Sequence, residues 1–334
     1  MTGSKQRGFA LLMHVSLEEL APQDHLYRHR EKSGNRARLG AQGENRASRF
    51  GILAHEVLSL PVGTSKEEGM PEPRDYINTQ YLKVLADLLK QDKQRTYTLM
   101  HLEPGQTVLD VGCGPGTDTI PLAQIVGKSG QVVGVDHDAA MIAEAERRAE
   151  QAGCSAWCRH LQADATALPL QTSSCDACRS ERLFQHVPDP AAVLSEMARV
   201  TRPGGWIVVF DADWSTLSID TPEVELEQRL LRYRLEHLVQ SGYVGRQLYG
   251  LFRRQQFTDI AVELHPLSLT DYASCRYACH LEVLEASALA AQVITEQELQ
   301  RWRQSLERAQ AEGAFYSHVM GVLVAGRRPA GATS

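Results

Sequence analysis

Gly112, Gly114 and Gly116 stand at alternate positions in Val108-Leu-Asp-Val-Gly-Cys-Gly-Pro-Gly116, directly behind a short β-branched run. A bend without side chains lets backbone approach a ligand closely. A dinucleotide fingerprint needs its third glycine at position 117, which is Thr, so the spacing favours a ligand without a pyrophosphate. Asp136 ends the next apolar run, 20 residues beyond Gly116, and can accept both hydroxyl hydrogens of an unmodified ribose. Gln162-Ala-Asp164-Ala165 places another carboxylate and a backbone N–H after a third run, where an adenine amino group could donate to Asp164. Either aspartate alone equally suits a helix cap or a water-facing position, and it is their joint spacing that argues for a ligand.

Strand ends must carry these groups. Thr107–Gly112, Gln131–Val135, Ala156–Leu161, Cys175–Cys178 and Gly205–Phe210 predict short strands, with helices over Ala139–Ala152 and Ala191–Val200 between them. That alternation implies right-handed βαβ crossovers and an α/β, doubly wound, mostly parallel sheet. Tyr76–Leu89 has apolar residues at helical spacing and predicts a helix on the core edge. After Asp211 the rhythm changes: a long helical stretch over Pro222–Phe257, a strand near Ile260–Leu264, helices around Ser274–Ala286 and Glu296–Gly313, and a final strand over Tyr316–Ala325.

The glycine loop, Gly134-Val-Asp136, Ala163-Asp164 and Arg199-Val-Thr-Arg-Pro-Gly-Gly205 together resemble the class I S-adenosylmethionine-dependent methyltransferases, within them the ubiquinone/menaquinone-biosynthesis and small-molecule O-methyltransferase group. The resemblance is strong over residues 76–212 and general in layout over 213–334. It implies a seven-stranded sheet of order 3-2-1-4-5-7-6 whose last strand is antiparallel. It implies S-adenosylmethionine as cofactor, with Gly112, Gly114 and Gly116 beneath its methionine part and Asp110 organising the loop. Asp136 would then hold the ribose, and Asp164 with the Ala165 backbone would read adenine. It also implies one methyltransferase domain over 71–334, in which a helical insertion at 215–257 covers the acceptor, and Tyr76, Tyr81, Tyr243 and Tyr249 lie on covering elements.

A sulfonium methyl is already electrophilic, so the protein has chiefly to align a nucleophile and exclude water. In similar O-methyltransferases a His after strand four and an Asp after strand five activate the hydroxyl; His186 and Asp211 occupy those places. A His takes a hydroxyl proton near neutral pH, and a carboxylate can orient it. His186 equally suits a hydrogen-bonded loop residue. Asp211, Asp213 and Trp214 suit a cationic or polyhydroxyl acceptor as well as a plain strand end. Arg179 and Arg182 either orient an anionic group or pair with Glu181, surface pairing being the commoner fate. The expected reaction is methyl transfer to a small-molecule hydroxyl, with C- or N-methylation of a quinone-like or amine metabolite, or cofactor binding without catalysis, as alternatives.

The chain has 334 residues, 43% hydrophobic and 6% aromatic, an ordinary globular composition. Residues 1–70 hold 10 basic and 8 acidic residues and show no sustained period, which reads as a loosely ordered basic extension, or as sequence upstream of a start at Met70. The remaining 25 basic and 33 acidic residues would repel a polyanion, so nucleic acid is not the expected partner. No apolar run reaches the roughly 20 residues of a spanning helix, and Met1–Leu20 lacks a small-residue cleavage site. Seven cysteines, an odd number without zinc-knuckle spacing, suit free thiols in a reducing cytoplasm and no metal site. The sequence leaves the oligomeric state open, a homodimer among the options.

Overall fold

Seven strands, most of them linked by helices, assemble into one sheet in the computed structural model, which describes Leu85 and residues 88–329. In chain order these are α1 (Lys90–Leu99), β1 (Thr107–Val111), α2 (Thr119–Val126), β2 (Gln131–Asp136), α3 (Ala139–Gln151), β3 (Cys158–Gln162) and β4 (Cys175–Glu181). A 3-10 turn (Phe184–His186), α4 (Pro190–Val200), β5 (Thr201–Ile219), α5 (Val224–Tyr233), a π-helical turn (Arg234–Leu238) and α6 (Val244–Arg254) follow. The chain continues through β6 (Thr258–Leu269), α7 (Tyr272–Ala278), α8 (Leu281–Ala290), α9 (Glu296–Ala311) and β7 (Ser317–Arg327). The order β3-β2-β1-β4-β5-β7-β6, with β7 antiparallel to both neighbours, is the one the resemblance implies. The extension over 1–70 and most of the expected 76–89 helix lie outside the described residues.

The centre of the sheet is covered on both faces, which is why β1, β2 and the Trp206–Phe210 part of β5 read as apolar runs, whereas the edge strands β3 and β6 alternate or stay part-exposed. Leu109, Val133, Ile207, Val209 and Val324 pack on one side with α4 and α6, whereas Val108, Val132, Ala177, Val208, Phe210 and Leu323 pack on the other with α1 and α2. Successive strand residues point to opposite faces. Local signals set the helix starts: Asp138 accepts from the Ala140 and Met141 amides to begin α3, Asp189 caps α4 ahead of Pro190, and Thr295 with Glu298 forms a capping box on α9.

A third core, holding Leu217, Ile219, Leu226, Leu230, Cys275, Leu284 and Trp302, joins α5, α7, α8 and α9 to the far ends of β5 and β7. The single helical stretch expected over Pro222–Phe257 is therefore broken into parts with different duties. α6 buries Val244, Leu248 and Phe252 against the sheet, and the turn before it puts Gly242 where a Cβ would come within 2.6 Å of Leu235. The helix expected over Ser274–Ala286 likewise breaks, at His280, which adopts a left-handed conformation (φ 47°, ψ 47°). Among the described residues no helix is long and apolar enough to cross a membrane. All seven cysteines are buried thiols.

Candidate functional site

A deep cleft opens along the C-terminal ends of the strands, where open α/β sheets collect ligands. Its floor is the turn from β1 to α2. Gly112 and Gly114 both have positive φ (75° and 51°), and a Cβ on Gly112 would meet Leu183 at 3.0 Å, so the turn needs bare backbone. Asp136 stands beside it at the tip of β2, its Oδ2 accepting from the Gly114 amide at 2.9 Å and its Oδ1 from the Asp138 amide at 3.0 Å. Two amides leave the carboxylate with lone pairs still directed at the cleft.

At one end of the cleft lies a buried charge network. Lys93 of α1 donates to Asp118 (2.7 Å) and to both oxygens of Glu181 (2.6 and 2.8 Å). Arg179 of β4 donates to Glu181 (2.8 Å) and Asp110 (3.2 Å), and Tyr97 donates to Asp118. Burial works to raise all three carboxyl groups, with divergent outcomes. For Asp118 the Arg179 and Lys93 cations outweigh burial and hold it below the usual range, and Lys93 and Arg179 do the same for Glu181. Asp110 pairs only with Arg179, at 3.2 Å, and burial pushes it up to about 7 despite the Arg179 and, less strongly, Lys93 cations.

Opposite, β5 shows what alternation decides. Phe210, Ala212 and Trp214 line the cleft, whereas Asp211 and Asp213 point to the other face. Asp211 is fully buried and accepts from the Gln185 amide (3.2 Å) and the Ala212 amide (2.8 Å); burial pushes its carboxyl up to about 7, partly offset by those amides. Gln185 sits in the 3-10 turn whose last residue, His186, lines the cleft, so Asp211 positions that turn from behind the sheet. Asp213 accepts from Arg246 (2.6 Å) and Ser215 (2.6 Å). The cationic-acceptor site expected from Asp211 and Asp213 is thus not assembled, because both carboxylates have the parity of Val209. The far wall of the cleft comes from Arg234, Leu238, Val239, Cys279, His280, His265 and Val319.

A family model described as a methyltransferase domain matches residues 108–205. A 37.1 kDa protein of a Streptomyces fradiae transposon is 36% identical over 203 residues, 59% of this chain and 55% of that protein. The demethylmenaquinone methyltransferase of Bacillus velezensis is 34% identical over 122 residues, 36% of this chain and 52% of that enzyme. Residues 108–205 carry a methyltransferase domain, in the fold of the class I S-adenosylmethionine-dependent methyltransferases. The chain spans about half the length of those curated relatives. In fold it is similar to a Bacillus halodurans protein assigned as a methyltransferase (TM-score 0.51, 18% identity, 72% of this chain and 99% of that one). It is equally similar to the YcgJ protein of Bacillus subtilis (TM-score 0.50, 18% identity, 73% and 99%).

Of the residues singled out from sequence, the methyltransferase fold brings Gly112, Gly114, Asp136 and His186 to the cleft. Gly116, at positive φ (75°) just ahead of α2, does not line the cleft; a Cβ there would come within 3.1 Å of Ala145. Asp110 lies beneath the loop, paired with Arg179 and without a hydrogen bond to the loop amides. Asp164 is exposed beyond β3 and accepts from the Thr166 amide and hydroxyl at 2.7 Å; neither it nor Ala165 lines the cleft. Arg179 is fully buried, contrary to the surface fate expected of it. Sequence reasoning passed over Lys93, Tyr97, Asp118, Arg234 and His280. Lys93 sits in the polar run Lys-Gln-Asp-Lys-Gln-Arg, which marks none of its residues as inward-facing.

Proposed function

We propose that this chain transfers a methyl group from S-adenosylmethionine to a hydroxyl oxygen of a small molecule. The observation that carries the proposal is one cleft in which the bare loop Gly112–Gly114, Asp136 and His186 face a common space. Gly112 and Gly114 would run beneath the cofactor, Asp136 would hold its ribose, and Asp164 with Ala165 would close on the adenine from beyond β3. The network of Lys93, Asp118, Arg179 and Glu181 suits the amino-acid end, because an α-amino and an α-carboxylate group need charges of both signs close together.

When bound, the cofactor supplies an electrophilic methyl on sulfur. The chain's task is then to orient the acceptor, remove its proton and keep water away. His186 takes the hydroxyl proton, Asp211 fixes the turn that aims it, and Phe210, Trp214 and Leu238 form the apolar wall. The covering segments would be the π-helical turn and the α7–α8 junction, the expected insertion at 215–257 contributing Arg234, Leu238 and Val239.

The test pairs calorimetry with transfer of a tritium-labelled methyl into extract of the host, followed by mass spectrometry. Binding of S-adenosylmethionine together with labelled product carrying one added methyl on oxygen supports the proposal. Binding without turnover favours a cofactor-binding protein, and product methylated on carbon or nitrogen removes the assigned role of His186.

A further inference from the structure

Two residues that L side chains rarely place at positive φ face the same part of the cleft. Arg182 (φ 54°) follows β4 and donates its amide to Phe210 O at 2.8 Å; His280 (φ 47°) forms the break between α7 and α8. A left-handed residue that is not glycine carries strain of about 1–3 kcal/mol, and such strain collects at ligand sites. Both side chains line the cleft, as does Arg234 from the π-helical turn, 4% exposed and stacked 4.8 Å over Trp214. Three segments distant in sequence therefore converge, the turn after β4 with Arg182 and His186, the π-helical turn with Arg234 and the α7–α8 junction with His280.

The sign of charge on this wall is one-sided. The acidic residues lining the cleft are Asp118, Asp136, Asp138 and Glu181, all on the cofactor side, and Glu181 is held chiefly by Lys93 and Arg179, with the Arg182 Nε at 3.4 Å. The π-helical turn, the α7–α8 junction and the cleft-facing positions of β5, β6 and β7 contribute no carboxylate. An ammonium there would meet guanidinium groups in a partly desolvated space, whereas an anion would meet the donors that remain after Arg234 Nη2 donates to Cys279 O and Arg182 Nε to Glu181. Burial, then Arg234, Arg182 and His186, push His280 down to about 3, so near neutrality it is an uncharged hydrogen-bonding group within an otherwise cationic wall.

Resting on the proposed methyl transfer, we infer that the acceptor carries a carboxylate or phosphate group, which Arg182 and Arg234 clamp beside His280 while its hydroxyl faces His186. The aromatic Phe210 and Trp214 border the same wall, so the body between anion and hydroxyl is flat or apolar.

The full chain loaded with S-adenosylhomocysteine is titrated in a calorimeter with four phenols of similar size: 4-hydroxybenzoate, 4-hydroxyphenyl phosphate, 4-hydroxybenzyl alcohol and tyramine. At least one anion is expected to bind about tenfold or more tighter than the alcohol, with no binding of tyramine, the scale of a charge-assisted pair. Which anion binds better separates carboxylate from phosphate. Arg182→Met should bring that anion to the level of the alcohol, leave affinity for S-adenosylhomocysteine unchanged, and be partly rescued by Arg182→Lys. Equal binding of alcohol and anions, preference for tyramine, binding of none of the four, or a preference that survives Arg182→Met overturns the inference. Failure of S-adenosylhomocysteine to bind at all defeats the functional proposal instead, and titration of the unloaded chain still reads the charge preference.

Discussion

Replacing Lys93 by methionine keeps the length of the side chain and removes one cation from the interior. In the native fold two cations, Lys93 and Arg179, answer three carboxylates, Asp110, Asp118 and Glu181, and every side chain in the set is 8% exposed or less. Without Lys93, Asp118 keeps Arg179 and the Tyr97 hydroxyl, and Glu181 keeps Arg179 (2.8 Å) and Arg182 (3.4 Å). Breaking a buried pair costs about 3–5 kcal/mol, and these remaining partners place the loss near 3. A domain stable by about 5–15 kcal/mol stays folded. The deficit depends on pH. Asp110 already sits at about 7 because of burial, and Lys93 is one of the charges restraining it, so the variant raises it further. A carboxyl raised in the folded state contributes stability at low pH that is lost as pH rises through its folded pKa. The gap between variant and native protein should therefore widen above about pH 7, by up to about 1.4 kcal/mol per pH unit. Urea unfolding followed by tryptophan fluorescence at about pH 6 and about pH 8 reads this directly. Lys93→Met/Glu181→Gln, which removes one charge of each sign, should recover most of the loss. A pH-independent loss, or a double variant no better than the single one, would refute the electrostatic argument and leave packing as the cause.

Asp136→Ala removes the acceptor of the Gly114 amide and the proposed ribose partner, and should weaken S-adenosylmethionine binding in calorimetry by about 1–3 kcal/mol. His186→Ala should lower turnover by about a hundredfold or more with cofactor affinity retained; equal loss of both would make the residue structural. Asp211→Asn cannot accept from both the Gln185 and Ala212 amides, so turnover should fall through misplacement of His186 while cofactor binding persists. Because the Asp211 carboxyl is raised to about 7, it contributes stability at low pH that disappears as pH climbs towards that value. The asparagine variant should therefore gain on the native protein in urea unfolding between about pH 4 and about pH 7.

The strand rhythm, the glycine turn and Asp136 were legible because they rest on local rules. Apolar runs buried on both faces specify parallel strands, and a loop that must pass under a ligand needs glycine within a few residues of the strand that precedes it. His186 was legible by its place after β4, and Asp211 by its place on β5, but the side of the sheet that Asp211 faces is set by alternation along the strand. Period-two alternation from Val209 puts Asp211 and Asp213 behind the sheet and Phe210, Ala212 and Trp214 in front, and that signal was present in the residues from 208 to 214.

No local rule could have found the Lys93 network or the cationic wall. Lys93 and Glu181 are 88 positions apart, and Arg182, Arg234 and His280 meet only because β4, the π-helical turn and the α7–α8 junction converge over one strand edge. Charged side chains read as solvated unless burial forces them to find partners, and burial belongs to the packed chain. The residues in order thus determined a methyltransferase sheet and the glycine turn and Asp136 along its edge. Which charges face inward, on which the inferred anionic acceptor rests, was decided by packing elements that the sequence keeps far apart.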